Sequence, residues 1–204
     1  MKQVSALQRL QSLPDIFRGA DLTVRFGWTS KTASQYLYLW KQRKLVGELG
    51  GHSDIFTNLV TCRSPDWETV LPLAMPSSVI IGLEALRREG WITHIPTRPT
   101  VAVNTSEKVF KTDCFEVVKK PQLWFDQTRA ARKNHDKRVL TWLPAAWALA
   151  DLLKNGQWGE FGLWPDDIDW TLATPETHHA WEAACQAVKL KHVPLTSFFQ
   201  ATDD

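Results

Sequence analysis

The chain has 204 residues, 44% hydrophobic and 23% charged, with 24 Lys and Arg against 22 Asp and Glu and a formal net charge of +2. That composition suits one large or two modest globular domains. No apolar run approaches the ~20 residues of a membrane span, and the opening MKQVSALQRLQSLPDIF lacks the apolar centre of a secretory signal. Cys62, Cys114 and Cys185 show no CxxC spacing. Reduced thiols, a cytoplasmic location and no membrane partner are therefore expected.

The first elements in chain order, over residues 17–59, follow a winged helix-turn-helix pattern. A short helix, Ala20–Phe26, meets a Gly27-Trp28-Thr29 turn. A longer helix is predicted from about Ser30 to Lys44, with Thr29 or Ser30 capping its first turn and Gly27 free to take the positive φ of a tight turn. Ala33, Leu37 and Trp40 recur at helical spacing and face the core. Lys31, Gln35, Tyr38 and Gln42 fall on another face, with Thr32 and Ser34 near the N-terminus. Leu45 and Val46, a Gly50-Gly51 turn and a strand-like run over Asp54–Val60 complete the hairpin.

In a helix-turn-helix the N-terminal residues of the second helix touch base edges. Gln can pair with adenine through two hydrogen bonds, and Lys can reach guanine or phosphate. Ser30, Lys31, Thr32, Ser34, Gln35 and Tyr38 are thus the candidates to read or abut bases. Lys41, Arg43, Lys44 and the wing-tip His52 are the candidates for phosphate. Residues 1–64 hold nine Lys and Arg against four Asp and Glu, a net of +5, while the rest of the chain carries −3. A basic first third fits a module that neutralises phosphates. The domain boundary is drawn at 64/65, where Pro65 breaks regular structure, giving a DNA-binding domain over 1–64 and an α+β domain over 65–204.

The second domain opens with an amphipathic run, Trp67–Leu73. A helix capped by Ser77 or Ser78 is predicted through Glu89, with Val79, Ile80, Leu83 and Leu86 at helical spacing and Gly90 as its stop. Strands are expected over Trp91–Ile95, Thr100–Asn104, Lys108–Lys111 and Phe115–Lys119, punctuated by Pro96, Pro99 and Pro121. An apolar helix over Leu143–Leu153 has Pro144 in its first turn, and a last helix runs from Pro175 to about Lys191. The fold class is therefore α+β: an N-terminal winged helix-turn-helix, then a mixed α/β domain with a small sheet. Eleven tryptophans spread along the chain suggest packing, with Trp158 and Trp164 as an exposed pair on a loop.

Several clusters could carry chemistry. Lys119–Arg138 holds seven basic residues against two acidic ones, and Arg129, Arg132 and Lys133, at i, i+3 and i+4, could form one basic stripe that adds phosphate contacts. Asp167 and Asp169 have the Asp-x-Asp spacing of a two-metal phosphoryl-transfer site. They lack the Gly-Ser element, and Pro165-Asp166-Asp167 reads as a turn or cap. His178, His179, Glu182 and Cys185 share one helical segment but no second ligand cluster completes a site. Neither a P-loop nor GxGxxG occurs, so no cofactor, no metal and no enzyme activity are expected.

Three segments carry a family resemblance: SKTASQYLYLWKQRKLV, SSVIIGLEALRREGWITHIPTRPTVAVN, and LPAAWALADLLKNGQW with the later PDDIDW. The chain resembles the AbiEi-like antitoxins of type IV toxin–antitoxin systems over most of its length. The resemblance implies an N-terminal winged helix-turn-helix, a mixed α/β second domain, binding to double-stranded DNA at the operon's own promoter, and repression of an antitoxin–toxin pair. It implies a nucleotidyltransferase-like toxin in the partner system. A homodimer on DNA would suit an inverted repeat. Two alternatives stay open: a metal-dependent nucleotidyltransferase using Asp167 and Asp169, and a toxin-neutralising interaction module built on the Trp-rich half.

Overall fold

A computed structural model describes residues 5–49, 54–107, 112–135, 138–156, 163–191 and 193–197. Its contacts divide the chain into Met1–Pro76 with Lys108–Cys114, and Ser77–Glu107 with Phe115–Asp204. Each unit combines helices with a sheet, and the fold class is α+β.

The first unit holds α1 (Ala6–Gln11), β1 (Ile16–Arg18), α2 (Gly19–Phe26), α3 (Ser30–Gln42), β2 (Val46–Glu48), β3 (Ile55–Asn58) and α4 (Trp67–Ala74). A capping box starts α1: the Ser5 hydroxyl accepts from the Gln8 N–H at 3.2 Å, and the Ser5 N–H donates to the Gln8 side chain at 3.0 Å. The three strands are antiparallel in the order β1-β3-β2, with Phe17 opposite Phe56 and Gly47 opposite Thr57. Gly27 ends α2 in the left-handed conformation, φ 63°. Leu10, Leu22, Ala33, Leu37, Trp40, Val46 and Phe56 form the core. Asn58 is buried within it and donates its amide to the Leu10 carbonyl at 2.7 Å, tying the sheet to α1. The unit runs past the boundary expected at 64/65 because α4 belongs to it. Arg18 on β1 donates its guanidinium to the Leu73 carbonyl at 2.5 Å.

The second unit contains β4 (Val79–Ile81), α5 (Gly82–Arg88), β5 (Thr100–Asn104), β6 (Glu116–Lys120), α6 (Gln122–Thr128), β7 (Lys133–His135), β8 (Arg138–Trp142), α7 (Ala145–Lys154) and α8 (Pro175–Val188). The sheet order is β6-β5-β4-β8-β7, with β5–β6 and β4–β8 parallel and β4–β5 and β7–β8 antiparallel. Two expectations are corrected here. The helix expected from Ser77 or Ser78 through Glu89 begins only at Gly82. Val79, Ile80 and Ile81 are a buried central strand, where stiff β-branched side chains pack on both faces, and Gly82 turns the chain at φ +66°. Trp91–Ile95 is not a strand: Trp91 and Ile92 are buried outside the sheet, and the Trp91 carbonyl accepts from the Asp169 N–H at 2.8 Å. The expected strand over Lys108–Lys111 lies outside the described residues.

Helix α7 is buried from Ala145 through Leu152. Asp151 on it receives the Lys120 ammonium at 2.8 and 3.0 Å and the Trp124 indole N–H at 3.2 Å, a charge pair almost wholly out of water. Among the described residues no helix is long and apolar enough to cross a membrane.

Candidate nucleic-acid interface

Helix α3 is built from its N-terminus by Thr29, whose hydroxyl accepts from the Thr32 N–H at 3.2 Å and meets the Thr32 hydroxyl at 2.9 Å. Of the candidate base-reading residues, Thr32 is thus half-buried and engaged in the cap, while Ser30, Lys31, Ser34, Gln35 and Tyr38 are exposed. The opposite face, Ala33, Leu37 and Trp40, is buried as its spacing required. Trp28, from the turn before α3, stacks on Tyr36 with ring centroids 4.2 Å apart and leans on Phe26 at 4.7 Å. The Arg9 guanidinium of α1 sits 5.3 Å from the Trp28 ring and 5.0 Å from the Tyr36 ring. This aromatic stack holds the turn to one flank of α3 and fixes the orientation of its exposed face.

Lys31, Ser34, Gln35, Tyr38 and Leu39 line a shallow depression on that face. Leu39 was not among the sequence candidates. Its position, eight residues after Lys31, puts it on the Lys31–Gln35–Tyr38 row, and the 3.6-residue period carries that signal.

The phosphate candidates behave differently from one another. Lys41 donates to the Glu48 carboxylate on β2 at 2.6 Å, with side chains 41% and 31% exposed, so a phosphate must displace an acid to reach it. Arg43 caps the end of α3 and is exposed. Lys44 is exposed in the left-handed conformation, φ 54°. His52, with the Gly50-Gly51 turn, lies outside the described residues.

Arg129, Arg132 and Lys133 do not form the expected helical stripe. Helix α6 ends at Thr128 and Lys133 opens β7. Arg129 is exposed and pairs with Asp126 at 3.2 Å. Arg132 folds back on α6, donating to the Phe125 carbonyl at 2.6 Å and the Thr128 hydroxyl at 2.7 Å, with its guanidinium 5.0 Å from the Phe125 ring. Burial, then the Arg129 charge, push the Arg132 pKa below the usual guanidinium value, against an opposing pull from Asp126. Lys133 is paired with Glu89. The aromatic rings of α6 capture one cation and two acids hold the others.

The acidic cluster is occupied with local structure. Asp167 accepts from the Trp164 N–H at 2.9 Å, and Asp169 accepts from the Thr171 N–H and hydroxyl at 3.1 and 2.6 Å. His178, His179, Glu182 and Cys185 lie on α8, where burial raises the Cys185 thiol pKa. Among the described residues no group of three His, Cys, Asp or Glu could hold a metal ion. Trp164 is exposed; Trp158 lies outside the described residues.

No protein-family model matches the chain, and no curated protein matches it. Among solved structures, it is similar at a TM-score of 0.44 and 12% identity to the RV2827C protein from Mycobacterium tuberculosis, covering 98% of this chain and 82% of that one.

Proposed function

We propose that this chain is a sequence-specific DNA-binding transcriptional repressor that uses α3 as its recognition helix. The observation that carries the reading is the two-sided construction of α3. Ala33, Leu37 and Trp40 are buried behind it, and Lys31, Ser34, Gln35 and Tyr38 face water in front. The surroundings support it: α2, a left-handed Gly27 turn, α3 and then the antiparallel β2–β3 hairpin follow the element order of a winged helix-turn-helix. The net +5 over residues 1–64 supplies the electrostatic attraction to phosphate. The resemblance to AbiEi-like antitoxins extends the proposal to the target: the promoter of the chain's own operon, shared with a nucleotidyltransferase-like toxin.

The test is fluorescence anisotropy of the full chain against its own upstream DNA and a scrambled duplex of equal length, across a salt series. Preference for the upstream duplex is expected, with an affinity that falls steeply with salt, by a logarithmic slope of about 0.9 per phosphate neutralised. Equal, weak binding to both duplexes would remove the proposal.

A further inference from the structure

We infer that α3 selects a T·A pair, with the thymine methyl against Tyr38 and Leu39 and the adenine of the same pair read by Gln35. The inference rests on the DNA-binding reading above and names what that site recognises.

The depression on α3 has an unusual floor for a helix face turned to water. Tyr38 and Leu39 are 62% and 47% exposed, and they sit side by side with Gln35, Ser34 and Lys31 around one hollow. A solvated helix face gains nothing from two large apolar groups in this position, since their burial is what water favours. A duplex offers one apolar group in its major groove, the C5-methyl of thymine; guanine, cytosine and adenine present only donors and acceptors there. Exposed apolar side chains on a groove-facing helix therefore match thymine and no other natural unmodified base. Gln35 forms its wall one helical turn before Leu39, with an amide able to donate to and accept from adenine N7 and N6 together. Lys31, a further turn toward the N-terminus, brings a cation to the rim, where it can meet a phosphate or a guanine. The three chemistries occur in one row at i, i+4 and i+8, the row a helix lays along the groove.

A methyl group can also come from 5-methylcytosine, and Gln35 separates the two sources. Thymine pairs with the adenine that Gln35 reads, whereas 5-methylcytosine pairs with guanine.

The experiment takes the duplex that the full-length protein selects most strongly from a randomised library. Each thymine is replaced in turn by deoxyuridine, which removes only the methyl, and affinity is read by anisotropy at fixed salt. One or two positions should weaken binding about fourfold, the value of one buried methyl. The loss at those positions should disappear in Leu39→Ala and persist in Tyr38→Phe. Replacing the same T·A pair by 5-methylcytosine·guanine should weaken the wild type by about tenfold, the scale of a bidentate base contact, and leave Gln35→Ala indifferent. If the selected duplex binds tightly and every deoxyuridine version binds equally well, the inference is wrong while the DNA-binding reading stands. If no duplex is preferred, the DNA-binding reading fails and the inference falls with it.

Discussion

Asn58 has no exposed surface, yet it carries a polar amide into the core of the first unit. Its Nδ2 donates to the Leu10 carbonyl at 2.7 Å, and its Oδ1 accepts from the Val60 N–H at 3.3 Å. Substitution by Ala leaves a carbonyl and an N–H unpaired and opens a small void. Asn58→Ala should therefore lower stability by about 1–3 kcal/mol, read as a shift of the urea midpoint. Asn58→Asp should be no better, since it supplies an acceptor where Leu10 needs a donor. Lys41 and Glu48 present the opposite case, a pair at the surface. Such pairs contribute about 0–1 kcal/mol, so their effect is on binding rather than folding. Glu48→Gln should free the Lys41 ammonium, tighten binding to every duplex up to about fivefold, and steepen the salt slope by about 0.9. Lys41→Ala should weaken all duplexes alike. A salt slope unchanged in both variants would show that no phosphate reaches Lys41.

The turn between α2 and α3 is the element on which the exposed face of α3 depends. Gly27 holds φ 63° with open space where a Cβ would stand, so Gly27→Ala meets no clash and costs only the left-handed backbone, about 1–2 kcal/mol. The expected result is a modest drop in the unfolding midpoint with DNA affinity retained below it; an unchanged midpoint would mean the turn is not left-handed in solution. This element was legible in the sequence because independent signals agreed: a Thr cap, a Gly at the turn, and Ala33, Leu37 and Trp40 at helical period. Strand β5 was legible too, bounded by Pro99 and carrying a short apolar run, Val101, Ala102 and Val103, all of it buried. The stretch Val79–Leu86 was not. Its apolar residues satisfy a helical period and a continuous buried strand at once, and only pairing with β5 and β8 decides for β4. Strands β1 and β7 are three residues long, and their existence is a property of their partners. The exposed row of Lys31, Gln35 and Tyr38 was legible as a face of α3, but Leu39, which is exposed beside it, was not among the candidates. The stripe of Arg129, Arg132 and Lys133 failed because spacing cannot anticipate rings that draw one guanidinium back onto its own helix.

At the scale of the whole chain, charge and polarity are handled in two ways. The first unit, Met1–Pro76 with Lys108–Cys114, holds eleven Lys and Arg against seven Asp and Glu, a net of +4. The second unit buries a pair, Lys120 with Asp151, side chains 11% and 5% exposed. Burying both charges costs several kcal/mol of hydration, and only the close contact offsets it. Lys120→Met leaves the Asp151 carboxylate in the interior without its cation and should lower stability by about 3–5 kcal/mol. Lys120→Met with Asp151→Leu removes both charges and should recover part of the loss. Recovery should stop short of wild type, because Asp151 also accepts from the Trp124 indole at 3.2 Å, and Leu leaves that buried donor unpaired, whereas the Asn155 amide keeps its bond to the backbone carbonyl of residue 151 at 2.6 Å. Equal losses in the single and double variants would mean that the unpaired Trp124 indole costs as much as the unpaired Asp151 carboxylate. Since each unit has its own sheet, backbone amides of β4 and β5 should lose hydrogen-exchange protection in Lys120→Met while those of α3 and β3 keep theirs. Loss of protection in α3 as well would mean that the two units unfold as one cooperative body.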